Sequence, residues 1–454
     1  MATILDRTEA LAVLRADVAA RTGLSGALWS AAQSLYPRGE ISAARKFDPW
    51  PFYAARAEGA TIWDVDGNSY VDCCMCYGTL LLGHAPAPVV RAVQQQAANG
   101  LHYGAPHALE VAYARKLLAC LPGMERVILA NTGNEAVQKA VTLARAYTGR
   151  NRVAKFEGGF HGSNEYSYWS ISCDETCMGP ERRPSLVPQA AGMSRRAGDD
   201  MVLLPFEEDA MAALIEENAD DLAAVLIEPV LGAGGGLPVP RDLVSRLRDV
   251  TRRTGVLLIF DEVITGFRVG LGGAQGWLGV TPDVALFGKA VGGGMPIGIV
   301  STTADIVDRC LGLSPDLAVA GTFSGNAMSM AASSAFLDHV VARPSLYDEL
   351  SAKGERLRSS FNAYAAERGM PFHMTGVGSM WQVHACGPPV ERPRDLVRED
   401  PDLLAEFALR LRLQGVFVPA PLHISFLSTA HSDEDVETVL TALTAAADGC
   451  CAED

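Results

Sequence analysis

Two residue types that could do chemistry together stand at the ends of two short apolar runs. Val256–Phe260 ends in the charged pair Asp261-Glu262, and Val284–Phe287 is followed by Lys289 at the mouth of the cluster Gly292-Gly293-Gly294. Short apolar runs of this kind suit buried parallel strands. In an open α/β sheet, ligands sit beyond the carboxyl ends of the strands. One strand would therefore deliver a carboxylate there, and another an amine. These are the two protein groups that pyridoxal phosphate requires. The lysine must be partly desolvated, so that its neutral form can attack the aldehyde. The carboxylate must keep the pyridine nitrogen protonated, so that the ring takes up the electrons of a substrate carbanion. A buried Asp–Lys pair serving structure alone has the same spacing.

The flanking residues bear on that choice. DEVITGFR from Asp261, then GVTPD, then GKAVGGGMPIG ending at Gly298 resemble the cofactor-binding core of class III (fold type I) aminotransferases. The branch that contains glutamate-1-semialdehyde aminomutase is the most similar, and the likeness runs with gaps from about Ala60 to His431. The resemblance implies an α/β fold with a mostly parallel central sheet flanked by helices. It places the large cofactor-binding domain at residues 86–335. A smaller α+β domain is implied from both termini, residues 1–85 and 336–454. It further implies that Lys289 is the Schiff-base lysine, that Asp261 partners the pyridine nitrogen, and that Val263 packs behind the ring.

Other stretches extend the likeness. Asn131-Thr132-Gly133-Asn134 falls between a strand and a helix, where backbone N–H groups and a glycine can receive a phosphate. The family carries a similar N-[ST]-G-x-E-A stretch, which makes Thr132, Gly133 and Asn134 expected cofactor contacts. Relatives usually have Thr or Ser at the position of Asn134, and an amide still donates. Gly158-Gly159-Phe160-His161-Gly162 resembles G-x-[YF]-H-G, implying Phe160 on the ring face opposite Val263 and His161 behind the cofactor. Gly321-Thr322-Phe323-Ser324-Gly325-Asn326 resembles G-T-x-S-G-N. By that resemblance Thr322 reaches the phosphate of a neighbouring subunit, implying a homodimer with shared sites.

Ser42-Ala43-Ala44-Arg45 aligns in position with the S-P-V-R of the aminomutase branch, where serine and arginine hold the substrate carboxylate. An arginine fork suits a carboxylate because it can donate two parallel hydrogen bonds. Ser42, Arg45, Glu228 and His423 are thus the expected substrate contacts. Two positions depart from the branch. Leu231 and Ala233 stand where it has an amide reaching the cofactor's ring oxygen, and His423 in PLHISF stands where it has a glutamate. The cofactor machinery is kept while the substrate-facing wall differs.

These residues need a frame. From Arg126 the pattern becomes strand–helix–strand, the sign of a parallel sheet with crossovers. Strands are expected at Arg126–Ala130, Val153–Phe156 and Leu222–Ile227, with helices at Glu135–Thr148 and Arg241–Thr254. Ahead of them, Asp6–Tyr36 reads as helix broken near Gly23–Gly26, and Ala60–Cys74 as a hairpin turning at Asp66-Gly67-Asn68. Helices are also expected at Pro88–Ala98, Leu109–Leu121, Met328–Val341, Ser345–Arg368 and Asp433–Ala447. Ser170–Asp199 and Pro388–Pro401 read as loops.

Composition narrows the functional classes. The chain has 454 residues, 48% hydrophobic and 20% charged, with a net charge of −15 that argues against a nucleic-acid surface. Its apolar runs are too short for a membrane span, and the charged Met1–Ala20 pattern is not that of a signal peptide. Ten cysteines point to no metal and to a reducing cytoplasm, since a metal needs four converging ligands and no histidine lies close in sequence to the cluster Cys73-Cys74-Met75-Cys76. Cys73, Cys74 and Cys76 are expected as half-buried strand residues. The resulting expectation is a pyridoxal-phosphate aminotransferase that moves an amino group from a small-molecule amine to an aldehyde or ketone. Amino-sugar or other secondary-metabolite chemistry falls within that class. The alternative is an aminomutase, which returns the amine to the same molecule. A cofactor-binding regulator would need a DNA-binding module, and the roughly forty residues before Ser42 are too few for one.

Overall fold

The computed structural model describes residues 4–313, 320–419 and 422–452. It forms two compact units. The larger contains Ala87–Tyr347 and a short return, Arg392–Val397; the smaller contains Met1–Pro86, Asp348–Glu391 and Arg398–Asp454. A boundary at residue 336 would cut the helix Ala327–Ala342, which packs on the helices Ala87–Asn99 and Ala108–Ala119 of the larger unit. The division falls after Tyr347 instead.

The larger unit is built on seven strands. In chain order they are β1 Arg126–Ala130, β2 Arg152–Phe156, β3 Met201–Leu204, β4 Leu222–Ile227, β5 Leu257–Glu262, β6 Val284–Gly288 and β7 Gly298–Thr302. Across the sheet the order is β1-β7-β6-β5-β4-β2-β3. All pairings are parallel except those of β7, which runs antiparallel to both β6 and β1. Every residue of β4, β5 and β6 is buried, which explains runs such as LAAVLI without alternation.

Two of these strands were not legible. The four residues of β3 give no clear period, and β7 follows the glycine cluster so closely that it reads as its tail. β5 also extends past its apolar run, so Asp261 and Glu262 are themselves strand residues.

Helix α1, Gly133–Thr148, covers one face of the sheet. It buries Ala136, Val137, Ala140, Val141, Leu143 and Ala144 in a core that includes Ile259, Leu286 and Val300. Three alanines on that stripe let the helix lie close to the strands. Gly149 ends it in a left-handed conformation that glycine adopts without a Cβ penalty.

The loop Ser170–Asp199 contains two short helices, Glu175–Met178 and Arg195–Asp199. The expected surface loop 388–401 is partly anchored in the larger unit. There the Arg394 Nε donates to both oxygens of Glu157, at 2.6 and 3.0 Å.

In the smaller unit, helices Ile4–Arg21 and Gly23–Ala32 break at Thr22; residues 1–3 lie outside the described residues. A sheet of Ala54–Glu58, Thr61–Asp64, Ser69–Asp72 and Val416–Phe417 contains the expected hairpin. Its turn is held by Asp64 Oδ1, which accepts from the N–H groups of Asp66 and Asn68 at 3.0 and 2.8 Å. The cysteine cluster departs from expectation. Cys73 and Cys74 are buried just past the strand, and Cys76 is exposed in a left-handed turn, Met75–Gly78. No helix among the described residues is long and apolar enough to cross a membrane.

One contact fixes β7 against the start of α1. A Cβ on Gly298 would lie 2.1 Å from the carbonyl oxygen of Thr132, so backbone meets backbone with no flexible atom to yield. Gly298→Ala should cost about 1–3 kcal/mol, the usual range for overpacking. The thermal unfolding midpoint of the purified variant should drop by roughly 1–2 °C per kcal/mol for a chain of this size. An unchanged midpoint would show that the close approach is not required.

Candidate active site

Strand register places the expected site residues along one edge. In the parallel β5–β6 pair Asp261 is opposite Leu286, and Phe260 of β5 is opposite Ile227 of β4. Glu228, Asp261 and Lys289 therefore all leave the sheet at its carboxyl edge. Gly298 of β7 is opposite both Gly288 and Ala130, so the Asn131–Asn134 turn begins at the level where Lys289 begins. Because β7 runs antiparallel, β1 is parallel to β6 and its end faces the same way.

Asp261 is only 5% exposed. Its Oδ2 accepts from Nδ1 of the fully buried His161 at 2.8 Å, and Oδ1 accepts from the N–H of Val263 at 3.1 Å. Two donors hold the carboxylate and leave lone pairs for a further N–H. Val263 sits against two glycines: a Cβ on Gly133 would come within 2.9 Å of its Cγ2, and one on Gly288 within 3.5 Å of its Cγ1.

Lys289 opens the turn Lys289–Gly292 with φ of +47°, an uncommon conformation for a residue with a Cβ. Such strain tends to collect where a side chain must be aimed.

The turn before α1 is closed by its own side chains. Thr132 Oγ1 caps the helix by accepting from Glu135 N–H at 3.1 Å, and Glu135 Oε2 accepts from the N–H of Asn131 at 2.9 Å. Asn134 Oδ1 accepts from Asn164 at 3.0 Å, which orients its amide.

Glu228 is turned away from the role expected of it. Its Oε1 accepts from Phe160 N–H at 2.7 Å and its Oε2 from Gly232 N–H at 3.1 Å. Burial pushes its carboxyl up to about 6, against the opposing pull of His161. It is a brace for the Phe160–His161 loop, because strand direction alone does not say which way a side chain rotates. Phe160 itself is 41% exposed, its ring edge-on to Tyr168. Leu231, at a position where an amide was absent from the sequence, is buried in the hairpin Val230–Leu231/Leu237–Pro238.

Thr322 is exposed and lines an open cavity of about 520 Å³ with Asn131, Glu135 and Lys139. Neither Asp261 nor Lys289 lines that cavity.

Within the smaller unit, Ser42 and Arg45 belong to one tight turn, the Ser42 carbonyl accepting from Arg45 N–H at 2.9 Å. Arg45 lines a cavity of about 510 Å³ with Tyr36, Phe47, Phe52, Tyr77 and Phe417. His423 lines a different one, of about 600 Å³, with Arg15, Lys46 and Arg412. These two expected substrate contacts thus do not share a cavity.

Residues 42–446 match the sequence profile of the family described as aminotransferase class-III. The chain belongs to the class III aminotransferases. It is 37% identical over 417 residues to a glutamate-1-semialdehyde 2,1-aminomutase of Methanothermobacter thermautotrophicus, covering 91% of this chain and 96% of that protein. A protein of the same name from Methanocella arvoryzae is 38% identical over 423 residues, covering 92% and 97%. Among solved structures it is similar to an omega-transaminase from Sphaerobacter thermophilus, with TM-score 0.88, 33% identity and coverage of 94% and 98%. A β-phenylalanine aminotransferase from Variovorax paradoxus superposes with TM-score 0.86 at 30% identity, covering 97% of each chain.

Class III aminotransferases are enzymes that use pyridoxal phosphate. The residues present fit that group. A helix N-terminus stands ready for an anion, a nearly buried carboxylate keeps lone pairs for a ring N–H, and glycines at 133 and 288 leave a flat floor around Val263.

The buried Glu228 makes stability depend on pH. Folded, it keeps its proton up to about 6; an unfolded glutamate keeps it only to about 4.3. Its contribution is therefore full below about pH 4 and is lost as pH rises through 6. Glu228→Gln removes that dependence. Measured against wild type by urea unfolding, the variant should gain about 2 kcal/mol between pH 4.5 and 7.5. A difference independent of pH would mean that Glu228 is ionised throughout.

Proposed function

We propose that the chain is a transaminase that takes the amino group from a carboxylate-bearing amine and delivers it to an aldehyde or ketone. When bound, pyridoxal phosphate supplies an electron-poor ring that accepts the electrons released at the substrate carbon. Asp261 would hold the ring N–H on the lone pairs left by His161 and Val263. Gly133 and Asn134 would donate to the phosphate with the Thr132 turn, while Val263 and Phe160 would bound the ring's two faces. Lys289 would hold the aldehyde carbon. Once the substrate amine displaces it, the Lys289 Nζ moves a proton at the substrate carbon.

The observation that carries the substrate class is Arg45. Among the described residues no carboxylate is within 4 Å of its guanidinium, and it lines a cavity whose wall is mostly apolar, with Phe47, Phe52 and Phe417 in it beside the acids Glu40 and Asp72. A cation with no carboxylate partner among the described residues, beside apolar rings, suits an amine that combines a carboxylate with an apolar body. The neighbouring transaminase structures and the apolar Leu231 support the same reading.

A second reading, an aminomutase, is favoured by the names of the sequence relatives. The two differ in whether a second substrate is needed. The holoenzyme incubated with carboxylate-bearing amines and a carbonyl acceptor should release two new products. An isomer formed from one substrate, with no acceptor present, would favour the second reading. The active form is proposed to be a homodimer, because Thr322 is exposed and lines a cavity that neither Asp261 nor Lys289 lines. A fully active monomer in analytical ultracentrifugation would refute it.

Lys289→Ala should abolish turnover and the visible absorbance of bound cofactor while leaving the far-ultraviolet spectrum unchanged. Asp261→Asn should retain cofactor but slow the amine half-reaction, because an amide stabilises a protonated ring poorly as charge develops. A near wild-type rate in that variant would assign ring protonation to another group. Arg45→Lys should lower kcat/KM for carboxylate-bearing amines by roughly ten- to a hundred-fold. Amino sugars without a carboxylate form the control, and equal losses on both sets would make Arg45 structural.

A further inference from the structure

Lys155 is 0% exposed on β2 and takes part in no salt bridge among the described residues. Its Nζ donates to two backbone carbonyls, that of Gly159 at 2.5 Å and that of Trp169. A lysine held only by carbonyls is an expensive way to fill a core. Burial pulls its ammonium down to about 7, with Glu228 opposing. A neutral amine still has two hydrogens for two carbonyls, so the clamp works in either charge state.

The clamp falls at a telling place. The loop 158–161 is held at every residue. Gly158 N–H donates to Ser170 O at 2.8 Å, Gly159 O receives Lys155, Phe160 N–H donates to Glu228 at 2.7 Å, and His161 Nδ1 donates to Asp261 at 2.8 Å. Gly158 has φ of +76°, so the loop turns sharply as it leaves β2. A Cβ on Gly159 would lie 3.2 Å from His161 Nε2 and 3.8 Å from Lys155 Cε. The peptide that Lys155 grips is thus packed directly against the imidazole.

We infer that Lys155 is a positioning residue: by holding the Gly159 carbonyl it sets the His161 ring on Asp261. Its importance for turnover rests on the proposed role of Asp261 toward the cofactor ring; its effect on His161 does not. Removing Nζ leaves two buried carbonyls short of a donor and frees the Gly159 peptide to rotate. His161 then loses its alignment with the carboxylate.

The test follows the His161 side chain in protein labelled with ¹⁵N at histidine, with and without cofactor. The hydrogen-bonded Nδ1–H signal, assigned by its loss in His161→Gln, should broaden or move in Lys155→Met in both forms. In the holoenzyme the amine half-reaction should slow by about ten-fold or more, with the KM for the amine changed less than two-fold. Lys155→Gln, which keeps one amide donor, should recover part of both signals. It also carries the test if Lys155→Met does not fold. An unmoved Nδ1–H signal with only a lower melting temperature would overturn the inference and leave Lys155 as a structural clamp on Trp169. A moved signal with an unchanged half-reaction would uphold the positioning of His161 and refute instead the proposed role of Asp261.

Discussion

A carboxylate at the end of a buried strand costs several kcal/mol unless donors surround it. Asp261 is such a group, and much of the edge around it is arranged to meet that demand. His161 and the Val263 N–H supply two donors. To present His161, the chain must turn sharply at Gly158 and hold the following peptide groups, and Glu228 and Lys155 do so from β4 and β2. Three adjacent strands therefore contribute to the placement of one carboxylate. Such an edge is stiffened because the groups that hold Asp261 are themselves held by others, although the buried His161 Nε2 has no hydrogen-bond partner among the described residues.

Strand alternation separates the two carboxylates of the Asp261-Glu262 pair. Successive side chains leave a strand on opposite faces. Asp261 faces the His161 loop, while Glu262 accepts from the Thr265 hydroxyl and from the N–H groups of Ala274 and Gln275. Burial pushes the Glu262 carboxyl up to about 7. One neighbour serves the site edge and the other ties the glycine-rich segment after it to the sheet. Their chemical likeness in sequence conceals this division.

The frame explains how relatives with different names can share one architecture. The groups proposed to face the cofactor come from strand ends and a helix N-terminus, whose positions are set by the sheet itself. Arg45 and His423 come from a turn and a loop of the smaller unit and line separate cavities. Residues of that kind change without disturbing the sheet, so substrate choice is free to diverge where the cofactor frame is not.

Local pattern alone determined a good deal of this protein. The limits of β1, β4 and the helix Arg241–Thr254 follow from hydrophobic runs and their period; in β4 burial on both faces removes alternation. The motifs around Asp261 and Lys289 were enough to indicate the family and its cofactor. Tertiary structure decided what depends on neighbours distant in sequence. The antiparallel insertion of β7, the turning of Glu228 onto backbone, the grip of Lys155 on Gly159 and the separation of Arg45 from His423 carry no local signature. Each is a matter of register or side-chain rotation. Those are set by packing between segments tens to hundreds of residues apart, and a one-dimensional pattern does not contain them.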